Sequence, residues 1–441
     1  MSNRRSTLLA NSLSNNIEYV INIDNYLTIE ALEDGLTAKL STKACEYCID
    51  GDDVWYTLAA NTTTPSIKRG QVISFRGNLT PSKYVGIGTF TISKKCNLKG
   101  NCMSMLFGDD AENNYSLSSK DYAFYGLFSN CTNIIEVSPN FLSATTLVNG
   151  CYDYMFSYCT SLTTAPDLPA TTLASNCYYY MFNGCTRLTT APELPATTLA
   201  NDCYAYMFQG CASLVTPPPI LPATTLANDC YAYMFQGCTR LTTAPGLPAT
   251  TLADSCYSRM FAGTNVLPDC SNIDFYSDSV ISSGGLKGLF SGTKVTDDDL
   301  KNILPINQLT GNYYLPATTL ANSCYQYMFG NCTSLTTAPE LPANTLADYC
   351  YNNMFSYCTS LTTAPELPAT ALVNNCYSFM FYNCKKLNYI KAMFTTTPNG
   401  SYTGDWVYGV SSTGTFVKNK NATWNVTGNN GIPSGWTVLT A

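Results

Sequence analysis

A Met-Phe pair recurs at a nearly fixed interval along this chain, with its phenylalanine at Phe156, Phe182, Phe208, Phe235, Phe261, Phe329, Phe355 and Phe381. The step is 26 residues, except for one of 27 where Pro217-Pro218-Pro219 adds a residue and a longer interruption between Phe261 and Phe329. Weaker copies stand at Phe128 (YGLFSNCTNI) and Phe290 (KGLFSGTKV), with a trace at Phe107 (CMSMLFGDD). A chain of 441 residues has room for about three ordinary domains. A repeat of this length instead predicts one elongated body of stacked coils, because a single coil cannot bury its own apolar stripe.

The unit LPATTLANDCYAYMFQGCTRLTTAP, residues 221–245, shows what each coil contains. Leu226, Cys230, Met234 and Cys238 are spaced by four, with Tyr231 and Phe235 beside them, which predicts one stripe of a short helix. Asn228-Asp229 would cap that helix, and Gly237 would end it in a left-handed conformation. The following Leu-Thr-Thr is β-prone, and the prolines after it cannot donate to a ladder, so the strand is confined to a few residues. Strand, extended return and helical turn then stack Leu on Leu, Cys on Cys and Phe on Phe. About eleven coils at a strand spacing of ~4.8 Å would make a body roughly 50 Å long.

Residues 1–20 are expected to be an N-terminal arm. Over 21–100, LTIEALEDGLTAKLS, EYCIDGDDVWYTL, GQVISFRGNL and GIGTFTIS alternate or cluster β-formers between turn residues, which predicts a small antiparallel β-domain. Residues 101–392 carry the repeats, with an irregular insertion at 264–314. The tail, 393–441, has β-prone runs split by Gly and Asn turns and no repeat anchor, and is expected to cap the last open ladder. The expected fold class is therefore an α+β repeat solenoid, right-handed and leucine-rich-repeat-like, with short strands and helical turns, a β-domain before it and a β-rich cap after it.

At FQGCTRLTTAPGLPATTL the unit resembles the BspA-like bacterial leucine-rich repeats, whose pattern runs Ala-Phe, a small pair, Cys, a Leu-containing strand and a Pro. Here Met234-Phe235 stands where that pattern has Ala-Phe, and the unit is a few residues longer. The resemblance covers roughly residues 120 to 390 and implies a curved solenoid with a surface role in adhesion or recognition. The N-terminal block (YLTIEALEDGLTAKLS, GIGTFTISKKCNLKGN) and the tail (TWNVTGNNGIPSGWTV) are similar to segments that accompany such repeats in gut Bacteroidales and their phages.

Charged residues make up only 12% of the chain and the net charge is −7 without a basic run, which argues against a nucleic-acid partner. The start, MSNRRSTLLANSLSNNIEYV, lacks a signal-peptide core, and no window approaches the roughly 20 apolar residues that cross a bilayer. Membrane insertion is not expected. An extracellular role would then need another exit, such as release of an assembled particle on lysis; a leader removed or substituted in expression is the alternative.

Twenty-one cysteines invite a metal or redox reading. The repeat pairs, Cys151/Cys159 through Cys376/Cys384, are too far apart for zinc, and the chain has no histidine. Disulfides within each coil would strand partners, because Cys256 faces Thr264, Cys131 faces Ala123, and the unit at Phe290 has Gly285 and Thr293. Buried free thiols acting as small hydrophobes fit better. Cys45-Glu46-Tyr47-Cys48 with Cys96 and Cys102 could be drawn as a zinc site, but the second spacing is long and the first lies in a strand-like stretch. Asp50-Gly51-Asp52-Asp53 reads as a solvated turn rather than a calcium loop. No cofactor is expected.

Without histidine the commonest general base is missing. The acids Asp167, Glu193, Glu340 and Glu366 occupy one position in successive coils, with nothing to drive their pKa values apart as a glycosidase requires. No enzyme is expected. The candidate ligand-binding residues are instead Tyr154, Tyr180, Tyr206, Tyr233 and Tyr327, three after the first cysteine, where Arg259, Asn353 and Phe379 replace them elsewhere. An outward aromatic row offers contact area at low entropy cost, and stacking of these rings on each other is the competing reading. The slot beside it varies between coils, with Asp153, Tyr179, Ala205, Ala232, Ser258, Gln326, Asn352 and Ser378, as expected of a tuned recognition stripe. The expected function is a non-enzymatic phage virion surface protein, fibre or decoration, whose solenoid engages a host surface glycan or protein while its N-terminal region meets other virion proteins. A bacterial cell-surface adhesin is the alternative, and a homo-oligomer is left open.

Overall fold

A computed structural model describes residues 22–50, 52, 54–266 and 283–441. The expected arm at 1–20 and part of the 264–314 insertion lie outside them.

The N-terminal part is built on strands β1 (Leu27–Ala31), β2 (Ala38–Leu40), β3 (Cys45–Ile49), β4 (Tyr56–Leu58), β5 (Val72–Arg76), β6 (Phe90–Ile92) and β7 (Cys96–Lys99). β1 lies between β5 and β7, both antiparallel to it, and β5 continues to β3 and β4. β2 and β6 form a separate antiparallel pair. Ser104 joins this sheet to the short helix α1 (Ser104–Phe107): its hydroxyl accepts from the Leu27 amide and donates to the Phe75 carbonyl, both at 2.8 Å. On its other side β7 pairs in parallel with β8 (Ile134–Val137), the strand of the first coil. Phe90 stacks on Phe128 at 5.5 Å, so the β-region supplies the first coil with a ring and a strand as another coil would.

In the coils the structure departs from the expected helical turn. Residues 227–238 form a ribbon of successive turns in which the amides of Cys230, Ala232, Met234, Gln236 and Cys238 bond to carbonyls three residues back, at 3.1–3.3 Å. The alternate amides, of Tyr231, Tyr233, Phe235 and Gly237, donate across to Cys256, Ser258, Met260 and Ala262 of the next coil, at 2.7–3.0 Å. Asp229, Tyr233 and Gly237 all have left-handed backbones, with φ of 53°, 57° and 74°. A left-handed residue at every fourth position is incompatible with an α-helix, whose residues share one right-handed conformation. Half of the ribbon's amides find carbonyls only when another coil is stacked on it, which ties local structure to the repeat.

The apolar spacing of four is nonetheless real. Leu226, Cys230, Tyr231, Met234, Phe235 and Cys238 are all buried. Phe128, Phe156, Phe182, Phe208, Phe235 and Phe261 form one column with centroids 5.6–5.7 Å apart and planes within 15°. A second column runs Phe124, Tyr152, Tyr178, Tyr204, Tyr231, Tyr257. The Leu-Thr-Thr segment contributes single parallel bridges rather than full strands, such as Thr190 to Thr216 and Thr337 to Thr363, because prolines follow at once.

The weak copy at Phe290 is a full member of the stack: Ser255, Tyr257 and Arg259 donate their amides to Ser283, Gly285 and Lys287. After it come helix α2 (Asp297–Ile303), closed by a capping box between Thr296 and Asp299, and a bridge between Ile306 and Tyr313. The last coil ends in β9 (Tyr389–Ala392), on which the tail adds β10 (Thr415–Lys418) and β11 (Thr437–Thr440), all parallel. The tail thus continues the stacking register. Trp406, fully buried, takes the amide of Phe381 as the next coil would, and β11 ends the stack with every residue exposed.

Candidate recognition surface

The left-handed positions define the outward face of the ribbon. At the middle one of each coil stand Tyr154, Tyr180, Tyr206, Tyr233, Arg259, Gly288, Tyr327, Asn353 and Phe379, with φ between 50° and 63°. The left-handed backbone swings these side chains away from the core, while Met155 and Phe156, just after, stay buried. Tyr154, Tyr180, Tyr206 and Tyr233 form one stack, with centroids 4.9, 4.3 and 4.5 Å apart and planes within 9°. Their faces therefore cover one another, and what the row offers outward is a ridge of ring edges and phenol hydroxyls.

Tyr179 from the neighbouring slot joins this group edge-on, 4.6 Å from Tyr180 and 5.6 Å from Tyr206. Gln326 and Asn352 meet elsewhere: the Gln326 amide donates to Asn352 Oδ1 at 3.0 Å, as does the Asn353 amide at 2.8 Å. Tyr327 sits apart from the other tyrosines, against the guanidinium of Arg259.

The slot expected to vary at the surface is largely inside. Asp153 is 6% exposed and Asn352 5%, and Ala205, Ala232, Ser258 and Ser378 are buried; Tyr179 and Gln326 are half-buried. The slot precedes the left-handed residue and faces the interior, so its variation changes packing beneath the ridge. Asp153 is the extreme case. Burial pushes its carboxyl up to about 8, Oδ1 has no hydrogen-bond partner, and its charge acts on the surrounding phenols of Tyr122, Tyr125 and Tyr154.

A second aromatic group, not foreseen from the sequence, lies toward the C-terminal end. Tyr382 packs at 5.5 Å on Tyr357, 5.8 Å on Phe379 and 4.9 Å on Tyr408, and Tyr357, Phe379 and Tyr408 are exposed. The signal was present in Phe379 and in tyrosines at the third left-handed position, such as Tyr158 and Tyr357.

The two cysteine columns differ. In the second, Cys159, Cys185, Cys211 and Cys238 each donate to the phenylalanine carbonyl of the preceding coil at 3.1–3.2 Å. Where threonine replaces them, the Thr264 and Thr293 hydroxyls donate instead to the phenylalanine carbonyl of their own coil, Phe261 and Phe290, at 2.8 Å. In the first column the thiol makes only long contacts, as from Cys151 to the Cys177 carbonyl at 4.0 Å, and Ala123 and Gly285 substitute. These repeat cysteines are free and buried, and burial pushes thiols such as Cys151, Cys203 and Cys238 up to about 12. The sequence-drawn set of Cys45, Cys48, Cys96 and Cys102 is split by the sheet: β3 and β7 stand three strands apart, roughly 14 Å. Of the Asp50–Asp53 turn, two residues lie outside the described structure; Asp50 is tied to Val72 and Gln71.

A groove of about 440 Å³ runs along the proline side, lined in part by Thr310, Glu340, Pro342, Pro365 and Glu366. Burial raises the Glu340 carboxyl, but hydrogen bonds from Asn312, Thr310 and Asn307 outweigh it and hold it below the usual range. Glu366 is engaged by Lys391 Nζ at 2.9 Å. Glu340 is therefore not placed to give up a proton near neutrality, as the acid of a glycoside-hydrolysing pair must.

Comparison with known proteins identifies the repeats. The family model for the BspA type leucine rich repeat region matches in six copies, over residues 122–242 and 312–403. A leucine-rich repeat protein from Bacteroides ovatus ATCC 8483, known from its crystal structure, is similar over 71% of this chain and 86% of its own, at 16% identity and a TM-score of 0.30. No curated protein matches. No helix among the described residues is long and apolar enough to cross a membrane. The repeats that build its coils, over residues 122–242 and 312–403, are leucine-rich repeats of the BspA type.

Proposed function

We propose that this is a non-enzymatic adhesive protein that recognises a host cell-surface glycan or protein along the outer ridge of its turn ribbon. The observation that carries the reading is the column from Tyr154 to Tyr233, in which four successive coils each hold a ring outward on a left-handed backbone. A bulky residue in that conformation costs about 1–2 kcal/mol, and nothing in the core needs a tyrosine there. The BspA-type repeats support a surface role. The stack is read as a right-handed solenoid, so small-angle scattering should give an elongated particle; a compact sphere would contradict it.

The proposed location is the surface of a phage particle, as fibre or decoration, with the N-terminal sheet meeting other virion proteins. Edge strand β4, with Tyr56 exposed on it and Val54 exposed just before it, is the surface available for that contact. A bacterial cell-surface adhesin is the second reading. Capsid, portal or tail genes beside this one favour the particle, and a lipoprotein or secretion context would overturn it. For recognition itself, Tyr206→Ala with Tyr233→Ala should weaken attachment to host cells at least tenfold while the circular dichroism spectrum is kept. Unchanged attachment would leave the ridge as a stacking device only.

A further inference from the structure

The ridge is neutral except at its middle, where Arg259 replaces tyrosine. The next coil has Gly288 at that position, and a Cβ there would meet Arg259 Cγ at 2.7 Å. Arg259 therefore lies across the place a side chain would have filled and reaches two coils on. Its guanidinium carbon is 4.9 Å from the ring centre of Tyr327 and 5.9 Å from that of Tyr233, so rings from both sides bracket it.

Beside it stands Lys287, half-buried, whose carbonyl accepts the Arg259 amide at 2.7 Å. It occupies the inner slot, where other coils carry Asp, Tyr, Ala, Ser, Gln or Asn. Among the described residues neither cation forms an ion pair, and Arg259 Nε is buried without a hydrogen-bond partner. Burial, and then the charge of Arg259, lower the Lys287 pKa, while Asp229 acts weakly the other way. Two neighbouring cations, partly desolvated and without an ion pair among the described residues, are costly, and a bound anion would offset that cost. The chain carries 23 basic against 30 acidic residues, so its overall field does not attract anions and the attraction must be local.

We infer that Arg259 and Lys287 form a notch for the carboxylate or sulfate of an acidic sugar, with the Tyr233 and Tyr327 phenols flanking it to meet the sugar's hydroxyls. This rests on the glycan reading proposed above. A single cation pair suits one anionic group on a saccharide; a nucleic acid would need a row of them.

The test uses the full chain in biolayer interferometry against immobilised polygalacturonate, dextran sulfate and neutral dextran. At least one anionic polymer should bind more than tenfold tighter than dextran, and which of the two binds tells carboxylate from sulfate. Lys287→Gln and Arg259→Gln should each lose about tenfold, the usual cost of a hydrogen bond to a charged group, and Arg259→Lys should lose less. Matched melting curves exclude unfolding. Equal binding of all three polymers, binding of none, or affinity undiminished in the double Gln variant overturns the notch. Periodate treatment of host cells separates the two claims. Attachment lost on treatment but kept by the Gln variants overturns the notch alone, whereas attachment that survives treatment overturns the glycan reading beneath it.

Discussion

The rings of Tyr180 and Tyr206 lie 4.3 Å apart at 7° from parallel, on backbones with φ of 53° and 59°. Stacking of an aromatic pair contributes about 0.5–1.5 kcal/mol, so a ring between two neighbours recovers much of the roughly 1–2 kcal/mol that its left-handed backbone costs. The ridge is thus held by its own periodicity, and its order depends on adjacent coils.

The turn ribbon is testable by the sign of one difference. Asn353 occupies the middle left-handed position with φ of 57°. Asn353→Gly should be more stable than Asn353→Ala by about 1 kcal/mol in urea denaturation, because alanine pays for a positive φ. In a helix the order would be reversed by a similar amount, and that outcome would contradict the ribbon.

Cys203 and Cys211 are both fully buried, yet only Cys211 donates to a carbonyl at short range, that of Phe182 at 3.1 Å. Cys211→Ala should therefore cost about 1 kcal/mol more than Cys203→Ala, and Cys211→Thr should recover part of it. Equal losses would mean that both columns serve packing alone. Thiol titration of unfolded, unreduced protein should find most of the 21 cysteines free, and seven or more disulfides would refute that.

These columns show how much was legible in the sequence. The period, the inward Leu226, Cys230, Met234, Phe235 and Cys238, and the free thiols were all read from the repeat. The helix was misread because a ribbon of four-residue steps repeats its inward side chains at i and i+4 as a helix does. The corrective signal was Gly284, Gly288 and Gly292, which mark in one copy the three left-handed places; elsewhere the first carries mostly Asn, Asp or Ser, the middle mostly Tyr, and the third mostly Gly, Asn or Tyr. Thr264 and Thr293 likewise signalled a donor, where only small size had been read. Variability of the Asp153 slot suggests exposure, and its burial follows only from the geometry of the ribbon. Arg259 reaching over Gly288 depends on a vacancy in another coil, which no single repeat reveals.

Tyr231 is buried with its hydroxyl unpartnered, in a column that begins with Phe124. Tyr231→Phe should be neutral or stabilising by up to about 1 kcal/mol in thermal unfolding, since removing an unsatisfied hydroxyl removes its desolvation cost. A loss of that size would show that the hydroxyl has a partner, such as an internal water.

Asp153 has a folded pKa of about 8 against about 3.9 unfolded, so the native state holds its proton more tightly. Its contribution is intact below pH 4, falls as pH rises from 4 to 8, and is lost above 8. Asp153→Asn should therefore gain on the order of 2 kcal/mol at pH 8, gain little at pH 4, and flatten the profile between. A variant less stable than the parent at pH 8 would contradict the unpartnered, buried carboxyl.

The central claim, that the ridge is the recognition surface, is tested most directly by hydroxyl-radical footprinting of the full chain bound to host cells. The account predicts that oxidation of Tyr180, Tyr206, Tyr233 and Tyr327 falls at least threefold on attachment, while Pro342 and Pro365 of the groove are unchanged. Protection confined to the groove, with the ridge tyrosines oxidised as in the free protein, would contradict it.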